Sequence, residues 1–148
     1  MDEVDSRPHI TRQIMRGATR HLLASGYAVV SEMALSNGRR ADLVALSPHG
    51  QLLIVEVKSG IEDFRADSKW PEYRDYCDRF SFAVGPDFPH ERLPDTAGLI
   101  VADAFGGLIL REAMTIPLPA ARRKAMLIIF AQLAAGRLQA LIDPRPEA

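Results

Sequence analysis

Arg40-Ala41-Asp42-Leu43-Val44-Ala45-Leu46, Ser47-Pro48-His49-Gly50 and Gln51-Leu52-Leu53-Ile54-Val55-Glu56-Val57-Lys58 form the stretch that decides the fold. The outer segments read as β-strands, rich in branched apolar residues and bounded by turn residues. Between them, Pro48 suits the first central position of a type I turn and Gly50 the left-handed residue that follows. That combination makes a three-residue hairpin loop closed by a glycine bulge. It pairs Ser47 with Gln51, so Leu46 meets Leu52, Val44 meets Ile54, Asp42 meets Glu56 and Arg40 meets Lys58. The run Leu52-Leu53-Ile54-Val55 is apolar on both faces, as a central strand covered on each side requires.

Charged residues at the end of such a strand need a physical reason. Side chains alternate along a strand, so Glu56 and Lys58 share one face. The hairpin register sets Asp42 opposite Glu56, with Cβ atoms about 4.5–5.5 Å apart. Two carboxylates there repel unless something neutralises them. A divalent cation such as Mg²⁺ or Mn²⁺ would do so, since hard oxygen ligands suit both ions. An ion-pair patch with Arg39, Arg40 and Lys58 would serve equally, and the residues alone leave both readings open. With a metal, the group forms a phosphodiester site. The ion would polarise the phosphate and supply hydroxide, and Lys58 would orient the water and stabilise developing charge.

Outward from the hairpin, the N-terminal side reads as a helix from about Pro8 to Ser25. Pro8 lies in its first turn, Ser6 is a nearby cap and Gly26 closes it. Ile10, Ile14, Ala18 and Leu22 make its inward stripe. Arg12, Arg16 and Arg20 form a second row, either a solvated face or a phosphate-contacting one. Tyr27 to Leu35 reads as a strand ending at the turn Ser36-Asn37-Gly38. Beyond Lys58 the expectation is a polar loop (59–68), then a helix from about Trp70 to Arg79. Strands follow at Phe80–Val84, Gly98–Ala102 and Leu108–Arg111, and a long helix from about Pro119 to Ile142. The fold class is therefore α/β (α+β), a mixed central sheet flanked by helices. The whole chain, 1–148, reads as one domain with a loose tail from about 143 to 148.

Composition limits the function. Of 148 residues, 47% are apolar and 25% charged, the usage of a globular protein rather than a disordered one. Net charge is −1, from 18 Lys+Arg against 19 Asp+Glu. A role on nucleic acid therefore needs a local basic face rather than bulk charge. One cysteine, Cys77, excludes an internal disulfide and a cysteine-cluster zinc site. The acidic N-terminus (Met1 to Asp5) lacks a signal-peptide core. The apolar stretch Ala125–Ala135, interrupted by Gln132, is too short to span a bilayer. The expectation is a cytoplasmic protein with no membrane partner.

Asp42 followed fourteen positions later by Glu56-Val57-Lys58 resembles the D…(D/E)xK signature of the PD-(D/E)xK nuclease superfamily. Ala41 replaces the proline that often precedes its Asp. Longer blocks resemble the MmcB-like family of bacterial DNA repair proteins. These are Ser31-Glu32, Gly38-Arg39-Arg40-Ala41-Asp42, Glu56-Val57-Lys58-Ser59 and Glu62-Asp63-Phe64-Arg65-Ala66-Asp67. The resemblance continues through Lys69-Trp70-Pro71-Glu72-Tyr73, Asp75-Tyr76-Cys77-Asp78-Arg79-Phe80 and Gly98-Leu99-Ile100-Val101-Ala102. It implies a restriction-endonuclease-like core, DNA as partner, Mg²⁺ or Mn²⁺ as cofactor and phosphodiester hydrolysis in repair. A non-cleaving DNA-binding repair protein that retains this fold is the alternative.

On this resemblance Asp42 and Glu56 would hold metal and Lys58 would position water. Many superfamily members add a Glu on the first helix. This helix has none, and Glu32 is the substitute candidate. A two-residue turn at Asn37-Gly38 would set Asp42 against Met33. A three-residue loop ending at Gly38 would set it against Glu32 and gather all three carboxylates. We favour the second, because an inward Glu needs a partner. Lys69…Tyr73 has the spacing of a QxxxY motif with Lys in place of Gln. Arg12, Arg16, Arg20, Arg39, Arg40 and Lys69 would meet phosphates. Trp70 would stack on a base, whereas Tyr73 and Tyr76 are expected to pack, with Tyr73 at the rim of the DNA site. Arg122-Arg123-Lys124 opens the last helix, where positive charge opposes the dipole, and is a further candidate phosphate contact. The rest of that helix is core or a homodimer face.

Overall fold

The computed structural model describes residues 6–145. The acidic N-terminus, Met1 to Asp5, and the end of the expected tail, 146–148, lie outside the described residues. Helix α1 (Arg7–Ala24) is capped by Ser6, whose hydroxyl accepts from the His9 amide at 3.4 Å. Six strands follow: β1 (Ala28–Ala34), β2 (Arg40–Leu46), β3 (Leu52–Lys58), β4 (Arg79–Val84), β5 (Gly98–Ala102) and β6 (Gly107–Arg111). Helix α2 (Ile61–Ala66) leaves β3, and α3 (Ala120–Ile142) is the last element in chain order. The strands form one sheet in chain order. β1, β2 and β3 are antiparallel, β3–β4 and β4–β5 parallel, and β6 returns antiparallel. This is the expected mixed sheet with flanking helices.

Two elements differ from expectation. The segment 59–68 is not wholly loop, because Ile61–Ala66 completes a short helix. Trp70–Tyr76 is a 3₁₀ segment rather than an α-helix reaching Arg79. Its Pro71 lacks an amide, and β4 begins at Arg79, paired with Leu53, which leaves no room for further turns.

Each face of the sheet has its own core. Ile14, Ala18 and Leu22 of α1 pack on Leu43, Ala45, Leu53, Val55, Val57 and Ile100. The stripe read from the sequence is therefore the buried one. On the other face, Met126 and Phe130 of α3 and Tyr73 and Tyr76 of the 3₁₀ segment pack with Val44, Ile54, Phe80 and Phe82. Cys77 is buried there, as expected, and burial pushes its thiol up to about 12.

Buried Asp78 ties α3 to the sheet. Its carboxylate accepts from the Leu52 amide at 2.8 Å, the Leu118 amide at 2.9 Å and Arg123 Nη1 at 2.7 Å. Burial opposes its ionisation, but Arg123 and the two amides outweigh that and hold its carboxyl below the usual range. Arg122 lies over the Tyr76 ring, 4.4 Å from its centroid, and donates to the Asp75 carbonyl. The basic start of α3 is thus largely structural. Arg122 and Arg123 are engaged within the protein, and Lys124 alone of the three is exposed.

Gly17 fixes the seat of α1. A Cβ there would lie 1.8 Å from the Asp103 carbonyl oxygen and 2.6 Å from that of Gly106. Glycine to alanine within a helix ordinarily gains about 1 kcal/mol. Here Gly17→Ala should lower stability by about 1–3 kcal/mol, the usual cost of overpacking. Urea denaturation of both proteins measures this, and an unchanged or raised midpoint would show that the helix is not seated so closely.

Candidate active site on the central strands

Turn chemistry delivers the register. Ser47 and Gln51 close the β2–β3 hairpin through the Ser47 amide and Gln51 carbonyl at 2.9 Å, and Gly50 is left-handed at φ 89°. Leu46 pairs with Leu52, Val44 with Ile54 and Leu43 with Val55. One step further, Asp42 stands opposite Glu56. The β1–β2 loop is also the three-residue kind, with the Leu35 amide on the Arg39 carbonyl at 2.8 Å and Gly38 at φ 87°. Ser31 pairs with Leu43 and Met33 with Ala41, so Glu32 falls opposite Asp42 in count.

The ladder changes character at that level. Glu32 has φ 52°, the one positive φ outside glycine among the described residues. Strict alternation puts residues three apart on opposite faces. Yet Val30 and Met33 enter the same core cluster, as do Ala41 and Val44. Both strands slip at Glu32 and Asp42. Released from the ladder, the Asp42 amide donates to Glu56 Oε1 at 3.0 Å, and the Val57 amide donates to Asp42 Oδ2 at 2.8 Å. Each carboxylate replaces a strand carbonyl.

Glu56 is only 5% exposed and Lys58 6%, while Asp42 is half-buried. Burial and the closeness of the two carboxyls raise both above the usual carboxylate range. Burial, then the charge of Asp42, pushes Glu56 up to about 9. Burial also raises Asp42, against the opposing pull of the Val57 amide and of Glu56. Among the described residues, neither carboxylate has an ion-pair partner. Arg39 is paired with Glu72 at 2.9 Å, and Lys58 Nζ with Asp67 Oδ2 at 2.6 Å. Arg40 is exposed, and its carbonyl accepts from the Tyr73 hydroxyl at 3.0 Å. The arginine patch that could have neutralised the pair is therefore not the one formed.

Asp67 was not legible as a site residue. It follows α2, and its Oδ1 caps the Lys69 and Trp70 amides at 2.8 and 3.1 Å while Oδ2 holds Lys58. Burial would raise its carboxyl, but the Lys58 ammonium and these amides outweigh it and lower it. Asp63 was missed as well. It accepts from the Ser59 amide at 3.0 Å, pairs with Arg7 and adds negative charge near Asp42. Asp63 in α2 and Asp67 just after it stand four residues apart, and that spacing was the available signal.

Glu32 does not join the pair. The left-handed backbone leaves it exposed, and its carbonyl accepts from Arg137 at 3.3 Å. Among the described residues, no group of three or more His, Cys, Asp or Glu side chains is arranged to hold a metal. Trp70 is not an open stacking platform. Its ring stacks on Phe80 with centroids 5.6 Å apart and meets Phe82 edge-on at 5.2 Å. Tyr73 packs as expected, stacked on Phe80 at 6.2 Å. Lys69 is exposed at the rim. Arg12, Arg16 and Arg20 are exposed on α1 and edge a trough of about 370 Å³. Its floor is Ser31 and Leu43, the residues adjoining Glu32 and Asp42. Arg20 also donates to the Phe105 carbonyl at 3.3 Å.

Architecture and site together define an α+β protein with a buried carboxylate pair on the central strands of a mixed sheet. The chain belongs to the MmcB-like family: the family's model, described as DNA repair protein MmcB-like, matches residues 3–145. It is similar to the SPO1766 protein of unknown function from Silicibacter pomeroyi, at 43% identity and TM-score 0.89, over 93% of this chain and 94% of that one. A repair endonuclease from Pyrococcus abyssi is 13% identical, with TM-score 0.39 over 57% of this chain and 41% of that one, too slight a likeness to argue from. No curated protein matches.

The raised Glu56 has a consequence for stability. A carboxyl whose folded value lies above its unfolded value binds more protons in the native state, so stability falls as pH rises between the two. For Glu56 that window runs from 4.5 to about 9. Metal-free protein should lose stability across it, and Glu56→Gln should flatten the loss. Thermal melts in chelator at several pH values test this; equal slopes for both proteins would contradict it.

Proposed function

We propose that this protein is a divalent-metal-dependent DNA nuclease acting in repair, with Asp42 and Glu56 as metal ligands. The carrying observation is the Asp42–Glu56 pair itself, two carboxyls held together by amides of the facing strands, with no ion-pair partner among the described residues. Mg²⁺ commonly binds through one or two carboxylates and completes its shell with water and substrate phosphate. Two protein carboxylates therefore suffice. When bound, the ion supplies phosphate polarisation and a nucleophilic hydroxide. Asp42 and Glu56 fix its position, each held by a backbone amide of the opposite strand. Lys58, ion-paired with Asp67, is a fixed positive charge that orients water and stabilises charge developing on the phosphate. Arg12, Arg16 and Arg20, with Lys69 at the rim, meet the DNA backbone. Cytoplasmic placement follows from action on bacterial DNA.

A second reading has its own observation. Glu32 is exposed and no third carboxylate joins the pair, which suits a DNA-binding repair protein that does not cleave. Incubation with duplex, single-stranded and branched DNA in Mg²⁺, Mn²⁺ or EDTA separates the two. Metal-dependent cleavage is expected, abolished by Asp42→Ala and reduced about 10²–10³-fold by Lys58→Ala, the cost of losing one charge-stabilising group. Binding of DNA without cleavage of any form would select the second reading.

A further inference from the structure

Helix α3 has 23 residues, but only Met126 and Phe130 are fully buried. Leu127, Ile129, Leu133 and Ala134 lean on the core as half-buried neighbours. Opposite them runs a row that touches no core cluster: Ile128, Ala131, Ala135, Leu138 and Ile142, all exposed. Ile128 is 48% exposed, Leu138 55% and Ile142 66%. Their spacing, 3-4-3-4, is the heptad seam of a helix that packs against another helix. A solvated face would carry charge at such positions, yet from Ala125 to Ile142 the single charged residue is Arg137. Its guanidinium donates to the Glu32 carbonyl, towards β1. Gln132 and Gln139 flank the row without charge.

We propose that this face pairs with α3 of a second copy of the chain, antiparallel, about a two-fold axis at Ala135. In that arrangement Ile128 faces Ile142, Ala135 faces its own counterpart, and Ala131 and Leu138 fall opposite Gln139 and Gln132 of the second copy, one level from each other. Large apolar residues stand opposite each other only at the ends, and in the middle each Leu138 falls one level from the small Ala131 of the second copy, which leaves it room to interdigitate. Charge selects the same orientation. Lys124 is exposed at the N-terminal end, and Asp143 caps the C-terminal end. The antiparallel pair sets each Lys124 beside the partner's C-terminus and Asp143, where a cation is favoured. A parallel pair would instead stack like charges. Leu118, Leu127, Ile128 and Ala131 also line an open apolar trough of about 480 Å³, placed to receive Leu141 and Ile142 of the second copy. The proposal is independent of Asp42 and Glu56.

α3 is also the helix that by length and apolarity could cross a bilayer, with mean hydropathy 1.7 over its best window; it runs beyond the Ala125–Ala135 stretch read from the sequence. Membrane association is therefore the competing outcome. Sedimentation equilibrium of the full chain should give about 33 kDa, twice the chain mass of 16.3 kDa. Leu138→Glu should give the monomer with an unchanged circular dichroism spectrum and melting temperature. Under mild oxidation Ala135→Cys should form a cross-linked dimer, and Ile142→Cys should not, because antiparallel ends lie far apart. A monomeric wild type, a Leu138→Glu variant that still dimerises, or Ile142→Cys cross-linking as well as Ala135→Cys would each overturn the proposal. So would a wild type that stays monomeric and co-sediments with phosphatidylglycerol vesicles.

Discussion

Two carboxylates placed where a β-ladder gives way set the conditions for the rest of the molecule. A buried carboxylate without a partner is costly enough that it takes up a proton rather than remain charged. Asp42 and Glu56 face that cost together. Each accepts an amide across the strand gap, and burial raises both carboxyls, Glu56 to about 9. Those bonds require β2 and β3 to part at Asp42, and the parting requires the slip that Glu32 makes in β1. The left-handed backbone at Glu32 and the raised carboxyl of Glu56 thus belong to one arrangement. Backbone strain of this kind persists only where the surroundings enforce it, and it concentrates at functional sites.

The surrounding elements hold the arrangement in place. α2 is too short to form a core, but it delivers Asp63 beside Ser59 and Asp67 onto Lys58. Trp70 and Tyr73 close the face beneath by stacking on Phe80. At the other end of β3, Asp78 joins the strand to α3 through Leu52 and Arg123. The chain thus carries two differently solved buried acids. Asp78 has an arginine and stays ionised. The Asp42–Glu56 pair has none, and the proposed metal would supply the missing positive charge.

Much of this was legible in the sequence because turn chemistry is local. Pro48 with Gly50 determines a three-residue loop and its register, whereas Ser36-Asn37-Gly38 left a two-residue and a three-residue turn open, and the favoured three-residue one is formed. Opposition of Asp42 to Glu56, and of Glu32 to Asp42, follows from counting. The face that Glu32 takes does not follow, because counting assumes strict alternation and one left-handed residue breaks it. Exposure at Trp70 was misjudged because its partners, Phe80 and Phe82, arrive on a strand ten residues later. The cations at the start of α3 looked unopposed because Asp78 lies 45 residues before Arg123. Long-range pairing of this sort has no periodic trace. Membership of the MmcB-like family supplies the repair context, whereas the chemistry rests on the carboxylate pair.

The proposed metal site makes a definite demand: burial raises the Glu56 carboxyl, so a cation bound there should lower it and release a proton. Calorimetric titration of Mn²⁺ into the protein near neutral pH, in buffers of different ionisation enthalpy, counts protons released per ion bound. The account predicts one ion per chain with close to one proton released, and loss of the release in Glu56→Gln. Absence of Mn²⁺ binding, or binding with the same proton count in wild type and Glu56→Gln, would contradict it.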